Sequence, residues 1–240
     1  MPADALTGID TASRPGYALP MRCVITAGPT YERMDDVRRL TNFSTGRLGI
    51  ELAAFLHARG HDVVLLVGEQ ATWPGERRAG TVVAFSTTQD LLDQFTVLRG
   101  ESVGAVFHAA AVSDFRFGKV FERDADGRLH ELKEGKVSTR QGTLMAELVP
   151  TPKLISRLRE FFPKAAIVGW KFEVDGDRSS VLAKARAQLA DNGTTACIAN
   201  GRAYGEGFGI VTPDGSCRQV NDREALFGEL ERLATALGKS

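Results

Sequence analysis

The sequence predicts an α/β fold, a mostly parallel sheet held between two layers of helices, and three observations predict it. Short apolar runs recur along the chain, as at Cys23–Thr26, Asp62–Val67 and Gly104–Ala109. Runs without polar alternation suit strands buried on both faces of a parallel sheet. Between them lie amphipathic stretches bounded by capping residues and glycine, which read as crossover helices. With 240 residues, 43% hydrophobic and 25% charged, the chain is ordinary for a globular protein and can bury one substantial core.

Residues 1–20 lack both a basic start and a continuous apolar stretch. They read as a flexible leader or strand-like arm rather than a signal peptide. The first strand, Cys23–Thr26, leads through a polar loop, Gly28–Asn42, to a helix from Gly46 to Arg59 that Gly60 stops. That loop carries Thr30, Glu32, Arg33, Asp35, Asp36, Arg38 and Arg39. A βα connection usually takes roughly two to six residues, so its length points to function.

Strands follow at Asp62–Val67, Thr81–Phe85 and Gly104–Ala109. Thr87 to Asp90 has capping-box spacing and opens a helix to about Arg99. These elements make a Rossmann-like half. Residues 116–149 break the rhythm: Lys119–Glu122, a turn at Asp126-Gly127 and Arg128–Leu132 read as a hairpin, and Thr143–Val149 as a further strand. An antiparallel excursion must bury its apolar side on something, so this is expected to be a dimerisation arm or flap.

The α/β rhythm then resumes. Thr151-Pro152 reads as an N-cap with proline at the first helical position, for a helix to about Phe161. A strand at Ala165–Trp170, a helix at Arg178–Ala190 and a strand at Thr194–Ala199 come next. A hairpin turns at Pro213–Gly215, and Asn221 to Glu224 reads as the capping box of the last helix. Residues 21–240 are expected to form one domain.

Thirty basic and thirty acidic side chains cancel, leaving no footprint for nucleic acid or an anionic membrane. No apolar run approaches the roughly 18–20 residues of a membrane span. Cys23, Cys197 and Cys217 are odd in number and widely spaced; Cys23 and Cys197 read as buried hydrophobes, and the compartment as reducing cytoplasm.

Open parallel sheets bind ligands beyond the carboxyl ends of their strands. That rule collects the loop 28–46, His108–Phe115, Gly169–Glu173 and Asn200–Gly209, with Lys133 and Lys136 of the excursion able to fold over them. Gly28, Ser44 and Gly46 leave room for a phosphate at the start of a helix dipole; glycines that serve only helix–sheet packing are the alternative. Ala109 to Val112 removes bulk just before Asp114, which could accept hydrogen bonds, help hold Mg²⁺, or merely cap a turn. His108 reads as a strand-end residue, and His57, His61 and His130 as surface residues. No Walker A motif or Ser-His-Asp set is present, so cations and amides point to electrostatic stabilisation of phosphoryl or acyl-phosphate chemistry.

The segment TAGPTYERMDDVRRLTNFSTGRLG closely resembles the nucleotide loop of the phosphopantothenate–cysteine ligase family. HAAAVSDF, GKV, PKLI, VGWKFE and IANGRAYGEGFG resemble its other site segments, so the likeness runs from about residue 22 to 220. It implies a Rossmann-like homodimer joining 4′-phosphopantothenate to L-cysteine. CTP, or ATP, activates the carboxylate as an acyl nucleotidylate with Mg²⁺ assisting, and cysteine's amine then attacks. The family's flavin-dependent decarboxylase, often fused, would be a separate partner here.

By the resemblance Asn42 contacts the acyl intermediate, Arg38 lies near the phosphopantothenate end, and Lys136 neutralises the triphosphate. His108, Ala109, Ala110, Asp114, Pro152, Lys153, Leu154, Ile155 and Trp170 line the nucleotide site, and Lys184 reaches the phosphates. Ser138-Thr139 stand where many bacterial members carry two more lysines. Trp170 replaces a phenylalanine, and Lys171 follows as in stand-alone members. An NAD(P)-dependent oxidoreductase is the alternative, but Gly28-Pro29 departs from its glycine fingerprint. A non-catalytic nucleotide-binding module is the third reading.

Overall fold

The computed structural model describes residues 20–132 and 143–237. Strand β1 (Arg22–Ala27) is followed by β2 (Tyr31–Arg33), β3 (Arg39–Thr41), helix α1 (Arg47–Ala58), β4 (Asp62–Gly68), β5 (Thr81–Phe85), α2 (Thr88–Leu98) and β6 (Ala105–His108). Next come β7 (Phe115–Arg123), β8 (Leu129–Leu132) and β9 (Thr143–Pro150), then α3 (Ile155–Phe161), β10 (Ala166–Phe172), α4 (Arg178–Asn192) and β11 (Ala196–Asn200). The chain closes with β12 (Phe208–Val211), β13 (Cys217–Val220) and α5 (Arg223–Leu237).

Eight strands form one sheet in the order β13-β12-β11-β10-β6-β1-β4-β5. The six from β11 to β5 are parallel, and β12 and β13 turn antiparallel at one edge. Alternation along β1 explains the layers. Cys23, Ile25 and Ala27 join the helices α1 and α5 in one core, whereas Val24 faces the core made with α2 and α3. Helix α4 packs Val181, Ala185 and Leu189 against Cys197 and Ala199 of β11. The fold is therefore the expected α/β layering of a Rossmann-like sheet. From β1 the chain winds outward to β4 and β5, then returns to lay β6 on the other side of β1. The switch point falls between β1 and β6, where open sheets form their ligand crevice.

Four expectations change. The loop after β1 contains a two-stranded ribbon, β2 with β3, in which Tyr31 pairs with Thr41. Asp35 closes its turn by accepting from the amides of Val37 and Arg38. Thr151 does not cap a helix. It donates to the Ser113 carbonyl across 2.5 Å, and its amide donates to the Asp114 carbonyl, so α3 starts later, at Ile155. The last helix is capped by Asp222, whose carboxylate accepts from the Ala225 amide, rather than by Asn221. His61 is buried, not on the surface: the Met21 amide donates to its Nδ1, and its Nε2 lies 3.0 Å from Glu231.

The excursion is a separate three-stranded antiparallel sheet, β8-β7-β9. Its two ends meet, because Phe115 pairs with Pro150. Phe115, Leu129, Met145 and Leu148 are exposed on it. Cys23 and Cys197 are buried as expected, and burial pushes both thiols up to about 12. No described helix is long and apolar enough to cross a membrane.

Candidate functional site

At the switch point the carboxyl ends of β1 and β6 are knitted together by short polar side chains. Thr26 Oγ1 accepts from the Ala110 amide and lies 2.9 Å from His108 Nδ1. Thr30 Oγ1 accepts from the Ser113 amide, and the Thr30 amide donates to the Ala111 carbonyl. Pro29 and Ala111 form a parallel bridge beyond the strands proper. The alanine-rich turn is thus a rigid extension of β6. Its small side chains keep the crevice open.

The loop after β1 is anchored at a helix end. Buried Glu32 accepts from the Thr88 amide at the start of α2, where a carboxylate meets the positive end of the helix dipole. Tyr31 donates through its hydroxyl to Glu69. Thr87 caps α2 by accepting from the Asp90 amide, but the return arm goes to Ser86, whose amide and hydroxyl both donate to Asp90. The ribbon is therefore held over the sheet edge. Asn42 follows it and donates from Nδ2 to the Ala111 carbonyl across 3.0 Å.

A cavity of about 130 Å³ lies beside the switch point. His108, Ala110 and Asp114 line it from the segment after β6, Pro152, Lys153, Leu154 and Ile155 from the start of α3, and Trp170 from β10. Eight of the residues expected at a nucleotide site, from three separate segments, are brought together here. Ser113, within the segment the sheet edge collects, and Thr151, expected only as a cap, also line it, and so does Gln188, which the residues did not point to. Gln188 shows only as one more polar residue on an amphipathic helix. Its placement against Gly169 and Ile155 belongs to the packing of α4, and a Cβ on Gly169 would lie 2.4 Å from Gln188 Nε2.

The other expected residues lie outside this cavity. Gly46 precedes α1 at φ 80°, and no side chain caps that helix. A Cβ on Gly46 would lie 2.9 Å from the Ala71 Cβ, and one on Gly28 would lie 2.7 Å from it, so close packing already accounts for both glycines. Ser44 lies just before Gly46, and Ala109 sits between two lining residues, His108 and Ala110. Arg38 pairs with Asp35 at 2.9 Å in the turn of the ribbon. Lys184 pairs with Glu173 at 2.6 Å, and Lys171 reaches the same carboxylate at 3.3 Å. Those bonds, Lys184's first, hold the Glu173 carboxyl below the usual carboxylate range. Lys136, with Lys133, Ser138 and Thr139, lies outside the described residues.

Electrostatically the cavity is neutral inside and charged at its mouth. Burial lowers His108 from the ordinary 6.5 to about 4, so at neutral pH it is an uncharged imidazole edge-on to Phe95. Asp114 and Lys153 are both well exposed and form an ion pair at the rim. Asp114 is a single carboxylate, and no cluster of three or more His, Cys, Asp or Glu side chains fit to hold a metal occurs among the described residues. The donor set does not suit a resident metal. A magnesium ion carried on phosphates needs only one or two protein carboxylates, which Asp114 can supply.

Comparison with known proteins agrees with this architecture. Residues 20–224 match the model of the DNA/pantothenate metabolism flavoprotein C-terminal domain. The coenzyme A biosynthesis bifunctional protein CoaBC of Thermococcus kodakarensis is 31% identical over 224 residues, 88% of this chain and 51% of that protein. Its namesake in Bacillus subtilis is 30% identical over 190 residues, 79% of this chain and 42% of that protein. The chain spans about half the length of the curated relatives it matches. The DNA/pantothenate metabolism flavoprotein from Streptococcus pneumoniae superposes with a TM-score of 0.79 at 26% identity, covering 90% of this chain and 99% of that one.

Proposed function

The chain belongs to the DNA/pantothenate metabolism flavoprotein C-terminal domain family, and from that premise we propose that it is the ligase joining 4′-phosphopantothenate to L-cysteine in coenzyme A biosynthesis. The observation that carries the reading is the cavity beside the switch point, where the alanine-rich turn, the start of α3 and Trp170 converge. This is a crevice for a nucleotide, with a charged rim and a neutral interior.

In the proposed reaction the pantothenate carboxylate attacks the α-phosphorus of CTP, or less favourably ATP, and pyrophosphate leaves. The amine of cysteine then attacks the acyl carbon, the C–O bond to the nucleotide breaks, and the nucleoside monophosphate departs with an amide formed. Asp114 would help hold an Mg²⁺ ion carried on the triphosphate, which would supply charge screening there. Asn42, beside the Ala111 carbonyl, donates to the acyl intermediate, and Arg38 receives the phosphopantothenate end. Lys136 and Lys184 neutralise the triphosphate, with Lys184 exchanging Glu173 for phosphate. The helix start at Ser44 and Gly46, next to Gly28, offers amides to a phosphate. A reaction built on amide and cation donors needs no strong base if cysteine reacts as its free amine.

Residues 21–240 act as one ligase domain in this reading. The exposed Phe115, Met145 and Leu148 of the arm support a homodimer in which the arm meets a second copy. The decarboxylation that follows falls to another polypeptide or domain. The oxidoreductase alternative lacks its glycine fingerprint, because Gly28 after the first strand is followed by Pro29 and not by the rest of a G-x-G-x-x-G.

Pyrophosphate release with 4′-phosphopantothenate and Mg²⁺, comparing CTP with ATP and adding or omitting cysteine, tests the proposal. Release that depends on phosphopantothenate, with product only when cysteine is present, is the expected result. Nucleotide binding without release with either triphosphate would reduce the protein to a binding module.

A further inference from the structure

Every polar group of Thr30, a fully buried residue, is tied to one of two segments of the site. Its amide donates to the Ala111 carbonyl across 3.2 Å, and its hydroxyl oxygen accepts from the Ser113 amide across 2.8 Å. Its carbonyl accepts from the Thr41 hydroxyl across 2.9 Å. Ser113 directly precedes Asp114, and Thr41 directly precedes Asn42. Because Asn42 also donates to the Ala111 carbonyl, Thr30, Thr41, Asn42 and Ala111 close a ring of hydrogen bonds between the ribbon and the turn after β6. Thr151 holds the Ser113 carbonyl from the other side. Valine would fill the space of Thr30; what threonine adds is the acceptor that the buried Ser113 amide needs.

From this ring we infer that Thr30 is a positioning residue: acting through Asn42 and the turn, its hydroxyl fixes the acyl end of the reaction against the nucleotide end. The inference rests on the ligase reading for what the two ends hold. Two reactants bound on separate segments react at a rate set by their relative placement, and a misplacement of about 1 Å costs about 100-fold. Losing the Thr30 hydroxyl frees the Ser113 peptide to shift while each segment keeps its own contacts to substrate. The mark of positioning is therefore a fall in kcat without a matching rise in KM. A merely structural bond would lower the folded fraction and leave the kcat of the folded protein unchanged.

Steady-state pyrophosphate release by the whole chain, with 4′-phosphopantothenate, Mg²⁺ and whichever of CTP and ATP the wild type uses, tests this. Thr30→Val should lower kcat by about tenfold or more and leave both KM values within about twofold. Thr30→Ser, which restores the hydroxyl, should return kcat to within about threefold of wild type. Thr41→Val opens the same ring at an exposed position and should lower kcat in the same way, so that unfolding of one buried variant does not decide the matter. Wild-type kcat in the folded valine variants, or no rescue by serine, overturns the inference. The nitrogen–proton NMR signal of the Asn42 side-chain amide needs no turnover: it should move in both valine variants and return in Thr30→Ser. A wild type that releases no pyrophosphate sinks the ligase reading, whereas an unmoved Asn42 signal sinks this one.

Discussion

Asn42 donates its side-chain amide to the carbonyl of Ala111, so the end of the β2–β3 ribbon and the alanine-rich turn after β6 are held at a fixed distance. Asn42 is exposed, and little packing depends on it. Replacing it with alanine should lower turnover by at least about tenfold, in the range seen when one preorganised donor is lost. Thermal unfolding of the variant should stay within a few degrees of wild type. An unchanged rate would strike Asn42 from the catalytic residues.

Glu32 is the anchor of the ribbon. Glu32→Ala removes a buried carboxylate from the start of α2 and leaves the Thr88 amide unpaired. The expected loss is about 1–2 kcal/mol in urea denaturation. Because Glu32 reaches no substrate in the proposed reaction, an increase in KM should accompany the loss as the ribbon loosens. A variant as stable as wild type would show that Tyr31 and Thr30 hold the ribbon unaided.

Burial of His108 makes stability depend on pH with a definite sign. Its folded value, about 4, lies below the ordinary 6.5, so between the two the unfolded chain binds the extra proton. Stability from this group is complete above 6.5 and drains away as pH falls toward 4, by about 3 kcal/mol in all. Chemical denaturation at several pH values in that window should show the slope, and His108→Gln should flatten it. Equal slopes in both proteins would assign the acid sensitivity to other groups.

Leu148 on β9 is exposed in the isolated chain. If the arm meets a second copy, Leu148→Asp should convert a dimer to a monomer in sedimentation equilibrium while leaving far-ultraviolet circular dichroism unchanged. A wild-type monomer at micromolar concentration would refute the arm's proposed role.

Much of this fold was legible because its strands are continuous apolar runs and its sheet is parallel. Asp62–Val67, Thr81–Phe85 and the hairpin around Asp126-Gly127 needed no more than local pattern. What escaped was information carried by distant partners. His61 looks like any polar residue after a helix until Glu231, far along the chain, comes to meet it. Thr151 has the chemistry of an N-cap, but the carbonyl of Ser113 claims its hydroxyl first. The strands of the ribbon are three residues long, too short for alternation to register. The sheet-edge rule found the segment after β6 and Trp170, the family resemblance added Pro152 to Ile155, and Gln188 enters through the rotation of α4 about its axis, which no local spacing encodes.

The arm's two ends lie side by side: Phe115 pairs with Pro150, and Thr151 bonds back to Ser113 and Asp114. Chain that leaves and re-enters the body at one point is invisible to the core, and lengthening a closed excursion costs only slowly growing entropy. Evolution or an engineer can therefore treat the Asp126-Gly127 tip as a splice point, grafting a fluorescent reporter or a purification tag there while the eight-stranded sheet keeps its register.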